Sequence, residues 1–295
     1  MIEAASPPPA RRIVSLVPNG TEILFALGAG DQVVGVSHEC DFPPAARERP
    51  ILTGSALAAD LAPAEIDRAV SAQVGNGLSL YTIDEALLAR LDPDLIVTQE
   101  LCPVCAVSTE QVEGALAPLP RCPDVLSLDP RRLADVLEDI RSVGREIGKE
   151  REAAELVEGL KSRLAAVGGR AGFRRPRVLA LEWLEPPFAG GHWVPEMIEA
   201  AGGEDVAAQP GDGSRRMTWY EVAALDPDLI VVMPCGFDEA GAQAQVERIA
   251  GTPEWTALRA VREGRVYPVD ANGCFSRPGP RLVDGIERLA EIFRG

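Results

Sequence analysis

Six cysteines and two histidines are the residues of this chain whose types and positions could do chemistry. Cys102 and Cys105 form a C-x-x-C pair, a spacing that suits half of a zinc site or a redox disulfide. Each of the others but Cys122 follows a short apolar run that reads as a strand. His38 and Cys40 come after Gln32–Val36, and the C-x-x-C pair comes after Leu95–Thr98. His192 comes after Val178–Leu181, Cys235 after Leu229–Met233, and Cys274 after Val266–Val269. In open parallel sheets, ligands bind beyond the carboxyl ends of the strands. Cys40, Cys102, Cys105, Cys235, Cys274, His38 and His192 are therefore expected on loops that face a cleft. Cysteine is usually buried, so these are either small apolar residues under the loops, contacts to zinc or iron, or redox thiols. Cys122 lies outside the pattern and is expected to be structural.

The two imidazoles carry a similar choice. Each can ligate a transition metal or act near neutral pH, or it can be a hydrogen-bonded structural residue. Trp183, Phe188, Trp193 and Phe275 cluster on loops of the second half. Their faces would suit a large flat ligand, or they anchor the loops against the core. Catalytic signatures are missing: there is no G-x-S-x-G elbow, no G-x-x-x-x-G-K-[ST] loop and no H-E-x-x-H helix. Gly28-Ala29-Gly30 lacks the third glycine of a dinucleotide fingerprint. The expectation is a binding protein, not an enzyme.

The elements that must position these residues read as a duplication. Leu91-Asp92-Pro93-Asp94-Leu95-Ile96-Val97 recurs unchanged as Leu225-Asp226-Pro227-Asp228-Leu229-Ile230-Val231. In both copies an alanine- and leucine-rich helix stops before the proline, and an apolar run rich in β-branched residues follows as a buried strand. Arg12–Leu16 and Arg177–Leu181 open the halves as strands, each followed by a helix, near 21–27 and 195–201, that a glycine closes. Strand Asp124–Leu128 leads into helix Leu133–Ile147, as Val266–Val269 leads into Arg281–Phe293. Alternating strands and helices imply parallel sheets with helices on both faces. The predicted organisation is an α/β lobe over 11–128, a nearly continuous connecting helix over 131–167, and a second α/β lobe over 176–295. A ligand would lie in the cleft between the lobes.

Composition agrees with a folded two-domain chain: 295 residues, 46% hydrophobic and 25% charged. A formal net charge of -16 argues against nucleic acid or an anionic membrane as partner, and a monomer is expected. No apolar run reaches the roughly 18–20 residues that span a bilayer. Met1 to Arg12 contains Pro7-Pro8-Pro9 and no apolar core, which is not a secretory signal. The expectation is a cytoplasmic protein as the sequence stands, or a periplasmic or cell-surface one if an export signal is missing.

Several stretches then carry a resemblance. Arg12-Ile-Val-Ser-Leu-Val-Pro-Asn-Gly-Thr-Glu22, Gly28-Ala-Gly with Val33–Val36, and Asp41-Phe-Pro-Pro44 resemble the cobalamin-binding proteins of ABC importers. So do the repeated Asp-Pro-Asp unit, Pro186-Pro-Phe188 and Ser276–Arg281. These belong to the helix-hinged, class III solute-binding proteins, which carry cobalamin, haem and iron chelates. The resemblance implies two Rossmann-like lobes joined by a single long helix, cobalamin or a related metal chelate as ligand, and an ABC permease as partner. It implicates Pro18, Asn19, Phe188 and the Asn272–Arg277 loop in ligand contact, and Glu85 and Glu221 in permease docking. A stretch near Ser55–Leu80 and the cleft cysteines fall outside the family's pattern. They keep open the alternative of a cytosolic metal-binding or redox protein.

Overall fold

In a computed structural model, residues 10–57, 61–76, 79–99, 109–116, 121–167 and 174–295 are described. The first half runs β1 (Ile13–Ser15), α1 (Pro18–Ala26), β2 (Val33–Val36), β3 (Thr53–Ser55), α2 (Pro63–Gly75) and β4 (Tyr81–Ile83). It continues with α3 (Glu85–Leu91), β5 (Leu95–Thr98), α4 (Thr109–Leu116) and β6 (Asp124–Ser127). Four strands form a parallel sheet in the order β2-β1-β5-β6. Ile13, Val14, Leu95, Ile96 and Val97 are all at most 1% exposed, so these strands are covered on both faces and are apolar throughout. The pair β3-β4 is a separate antiparallel ribbon.

The segment expected as one connecting helix is two, α5 (Leu133–Glu146) and α6 (Glu150–Val167). Gly148 breaks it at φ +67°. Gly148 N–H donates to the Arg145 carbonyl and Lys149 N–H to that of Gly144, a Schellman stop that glycine alone adopts without strain. The chain divides into two compact units. One holds 1–59, 70–129 and 137–158, and the other holds 60–69, 130–136 and 159–295. Among the described residues no helix is long and apolar enough to cross a membrane.

The second half runs β7 (Arg177–Leu184), β8 (Pro187–Ala189), α7 (Val194–Ala200), β9 (Glu204–Asp205), β10 (Arg215–Arg216), α8 (Trp219–Leu225) and β11 (Leu229–Val232). Helices α9 (Glu239–Ile249), α10 (Pro253–Thr256) and α11 (Arg259–Arg262) precede β12 (Val266–Pro268), α12 (Ala271–Cys274) and α13 (Leu282–Arg294). Strands β9, β7, β11 and β12 pair in parallel in the order the first half uses. The long β7 pairs with β9 through its first residues and with antiparallel β8 through its last, and β10 then adds to β8. Two α/β lobes with mainly parallel sheets are thus present, as the repeat predicts.

The repeat holds to the level of single hydrogen bonds. Asp92 and Asp226 both end their helices at φ +41°. Asp94 Oδ2 accepts the Arg12 amide and Asp228 Oδ2 that of Arg177, each at 3.0 Å. The amides of Asp94 and Asp228 return bonds to the Arg12 and Arg177 carbonyls, both at 2.8 Å. The guanidinium groups of the same arginines donate to the last helical carbonyls, Leu91 and Leu225. Asp-Pro-Asp is therefore a joint that satisfies helix-end and strand-start groups at once.

Candidate functional site

On the first half, α1 begins two residues after β1 instead of near Thr21, because Pro18 fits the first helical position, where no amide is needed. Neither a side-chain cap nor an acidic residue in the first turn satisfies this helix end. Pro18 is half-buried and Asn19 is 1% exposed. Asn19 Nδ2 has no hydrogen-bond partner among the described residues. An unpaired buried donor costs about 1–3 kcal/mol, so this spot is suited to an acceptor oxygen from outside the chain. Gly20 lets the helix sit against β5: a Cβ there would lie 2.7 Å from Val97 Cγ1.

His38 lies on the loop after β2. Its Nδ1 is 2.6 Å from Thr53 Oγ1, and its Nε2 is 3.4 Å from a Glu39 carboxylate oxygen. One ring nitrogen is thus engaged within the unit. Cys40, expected to face a cleft, is instead 4% exposed. Thr21 Oγ1 donates to its sulfur at 3.1 Å, and the thiol lies 3.8 Å from the Ser15 carbonyl. Cys40 is a small core residue under the loop.

On the second half the aromatics separate into two kinds. Trp183 and Phe188, expected on a loop, are cross-strand partners in the β7-β8 pair. Both are half-buried, and Trp183 tilts against Phe237 with centroids 6.1 Å apart. Trp193 and Phe275 are 5% and 2% exposed, and Trp193 Nε1 donates to the Phe275 carbonyl at 2.8 Å. They anchor loops to the core instead of offering faces to a ligand.

His192 takes a left-handed φ of +56°, and its carbonyl accepts the Gly211 amide at 2.9 Å. Burial, with Arg131 nearby, lowers its pKa from the ordinary imidazole value and favours the neutral ring. Asn272 is half-buried in α12, and its backbone amide donates to the Phe237 carbonyl. Arg277 is buried at 6% exposure.

Among the described residues no three His, Cys, Asp or Glu side chains come together as an ion site. Cys235 is exposed after β11, and Cys274 is half-buried at the end of α12. Cys102 and Cys105 lie outside the described residues. Cys122, expected to be structural, is exposed.

Both glutamates expected at a permease surface are exposed on first helical turns, though not at equivalent positions. Glu221 is the third residue of α8 and forms a capping box with Thr218, whose amide donates to Oε2 at 2.7 Å. These bonds, with Arg215 at 3.2 Å, lower its pKa from the usual carboxyl value. Glu85 is the first residue of α3, behind the cap Asp84, and Leu87 stands where Glu221 stands in the other half.

Sequence reasoning missed a second-half group. Arg216 on β10 carries its guanidinium 5.1 Å from the centroid of Phe188, and Asp67 of α2 pairs with it at 2.7 Å. Two adjacent arginines in a strongly acidic chain were the available signal.

Comparison with known proteins places this arrangement. The family model described as periplasmic binding protein matches residues 13–272. An uncharacterized ABC transporter substrate-binding lipoprotein of Bacillus subtilis, YvrC, is 29% identical over 95% of this chain and 79% of its own length. The vitamin B12-binding protein of Vibrio cholerae is 24% identical over 98% of this chain and 91% of its own. The solved periplasmic heme-binding protein RhuT of Roseiflexus sp. RS-1 shares the fold at a TM-score of 0.72 and 24% identity, over 96% of this chain and 98% of that one. Both lobes of the class III solute-binding fold are present and the family model spans nearly the whole chain, so the chain belongs to the periplasmic binding protein family, whose members bind solutes and are not catalysts.

Proposed function

We propose that the chain is the substrate-binding component of an ABC-type uptake system and that its ligand is cobalamin or a related metal chelate. The observation that carries this reading is the Trp183–Phe188 pair. Two half-buried aromatic rings sit across from one another at the end of β7 in a chain whose full-length relatives include vitamin B12-binding proteins. Flat, conjugated chelates are held well by aromatic faces, because each ring buries a large apolar area at little cost in side-chain entropy. Glu221 and Glu85 are the surface carboxylates that dock the loaded protein on permease arginines.

The test is equilibrium titration of the purified chain with aquocobalamin, hemin and a ferric hydroxamate, followed by ligand absorption and tryptophan quenching. Submicromolar binding of one of the three, weakened at least tenfold by Phe188→Ala, is the expected result. The reading fails if all three stay unbound at 100-fold excess.

A further inference from the structure

The helix in the stretch outside the family's pattern acts on the same surface. Asp67, whose side chain is 16% exposed, accepts Nη2 of Arg216 on both carboxylate oxygens, at 2.7 and 2.9 Å. Arg216 in turn lies over Phe188. Residues 60–69 belong to the same compact unit as β8 and β10, so Asp67, Arg216 and Phe188 form one column within it. Successive residues of a strand point to opposite faces. Arg215 accordingly turns to Glu221 on α8, while Arg216 turns to the aromatic ring.

This column is more than a surface ion pair, for two reasons. Asp67 engages only Nη2, so Nε and Nη1 of Arg216 have no partner among the described residues. A guanidinium lying on a ring is also fixed in direction and loses water from one face, which raises its value as a fork for a carboxylate. The antiparallel ribbon of the first half pairs Tyr81 with Ser55 and Thr82 with Gly54, with no arginine or lysine in either strand.

We propose that Arg216 is a specificity-determining residue, selecting a metal chelate with a carboxylate on its rim, and that Asp67 is the positioning residue that holds it on Phe188. The proposal rests on the solute-binding reading above, in which Phe188 contacts the ligand, and it narrows the ligand class from chelates in general to anionic ones. The incoming carboxylate takes the end fork, Nη1 with the second proton of Nη2, while Asp67 keeps the other Nη2 proton.

The probes are hemin, which carries two free carboxylates, its dimethyl ester, and cyanocobalamin, whose corrin rim carries amides. Each is titrated into the full chain and into Arg216→Gln, Arg216→Lys and Asp67→Asn, with thermal midpoints recorded to establish that every variant folds. Hemin is expected to bind the unaltered chain at least tenfold more tightly than its ester. Arg216→Gln should erase that ratio by weakening hemin alone. Arg216→Lys keeps the charge but loses the fork and should recover less than half of the ratio on a logarithmic scale, and Asp67→Asn should reduce it about threefold. Equal binding of hemin and ester, tighter binding of cyanocobalamin than hemin, or a ratio that survives Arg216→Gln would overturn the role of Arg216 and leave the solute-binding reading standing. Failure of all three probes would overturn the role of Arg216, and failure of a ferric hydroxamate as well would overturn the solute-binding reading.

Discussion

Arg12 and Arg177 stand at the same point of the two halves, and each makes the same bonds to an Asp-Pro-Asp joint and the last carbonyl of the helix before it. Beyond the other ends of the strands they open, the halves part. From β1 the chain turns directly into α1 and leaves Asn19 with an unpaired buried donor. From β7 it doubles back through β8, and Trp183, Phe188 and Arg216 occupy the edge instead. A duplicated frame persists because its strand-start and helix-end groups are paired with one another, so changing one residue would orphan several. Connecting loops carry no such debt, so they are where two copies acquire different chemistry. One half carries a polar donor there and the other carries rings and a cation.

The strongest way to break this comparison is to disturb the loop that closes the second half. A Cβ on Gly191 would lie 2.5 Å from the Gly213 backbone carbon, 2.7 Å from the Asp212 carbonyl oxygen and closer still to the Ser214 amide. Backbone cannot rotate away, so Gly191→Ala should cost about 3 kcal/mol or more, at or beyond the top of the overpacking range. Gly20→Ala in the first half meets only side chains of Val97, Val17 and Ser15 and should cost about 1–2 kcal/mol. Urea midpoints of the two variants check the order. Equal losses would show that the halves are sealed alike.

A smaller difference lies inside the shared joint. Asp228 accepts from the Arg177 amide and pairs with Arg259 and Arg174, while exposed Asp94 accepts only backbone amides of Arg11 and Arg12. Asp228→Ala should therefore cost about 2–3 kcal/mol and Asp94→Ala about 1.5 kcal/mol, toward the upper and lower ends of the range for hydrogen bonds to charged groups. The Arg177 amide, ahead of the arginines, holds the Asp228 carboxyl below its ordinary pKa. Its contribution is thus fully present above about pH 4 and fades as pH falls through the depressed value. Acid titration of the two variants should show a shallower stability loss below pH 4 for Asp228→Ala than for the unaltered chain.

Asp205 on β9 reverses that sign. Burial raises its carboxyl to about 6 against an ordinary 3.8, even though the amides of Ala207 and Ala208 donate to Oδ1 at 2.7 and 2.9 Å. The folded chain binds this proton more tightly than the unfolded one, so stability declines as pH rises from about 4 to 6 and then levels off. Asn keeps the Oδ1 acceptor and carries no charge. Asp205→Asn should leave stability unchanged at pH 3.5 and raise it by about 1–2 kcal/mol at pH 7, measured as a shift in denaturation midpoint. A loss at pH 7 would mean that the ionised form is the one the fold prefers.

Which parts of this were legible in the sequence follows from what each depends on. Strand β5 is predicted to the residue, Leu95–Thr98, because a run of four apolar or β-branched residues after Asp-Pro-Asp has no other reading. Strand β8 is missed because Pro186-Pro187 signals a loop. Yet Pro187 is the first residue of its strand, a position where proline is tolerated. Trp193 and Phe275 have the residue types of a ligand platform, and only tertiary burial makes them anchors. The break in the connector at Gly148 reads in the sequence as a glycine within a helical pattern, and one glycine inside a helix is tolerated more often than it ends one. Asp67 and Arg216 are so far apart in the chain that no spacing rule links them.

The smallest predicted effect concerns the first turns of α3 and α8, where the halves come closest to agreeing. Thr218 and Glu221 satisfy two amides reciprocally, whereas Asp84 satisfies the Leu87 amide alone. Glutamine also serves at the third position of a capping box, so Glu221→Gln should keep the helix and remove only the charge. Because the carboxyl's pKa is lowered by the Thr218 amide first and Arg215 after it, its share of stability is present above about pH 4.5 and lost as pH falls. Removing the charge should flatten the acid limb of the stability curve slightly while leaving the neutral midpoint within error. Glu85→Gln, at a position with no such bonds, should leave the neutral midpoint unchanged as well. In reconstituted vesicles with a cognate permease the two substitutions should instead separate by their effect on uptake, with Glu221→Gln the more damaging. If Glu85→Gln matched it, docking would depend on a carboxylate in each half wherever it stands in the turn, and the difference between the capped and uncapped positions would carry no functional weight.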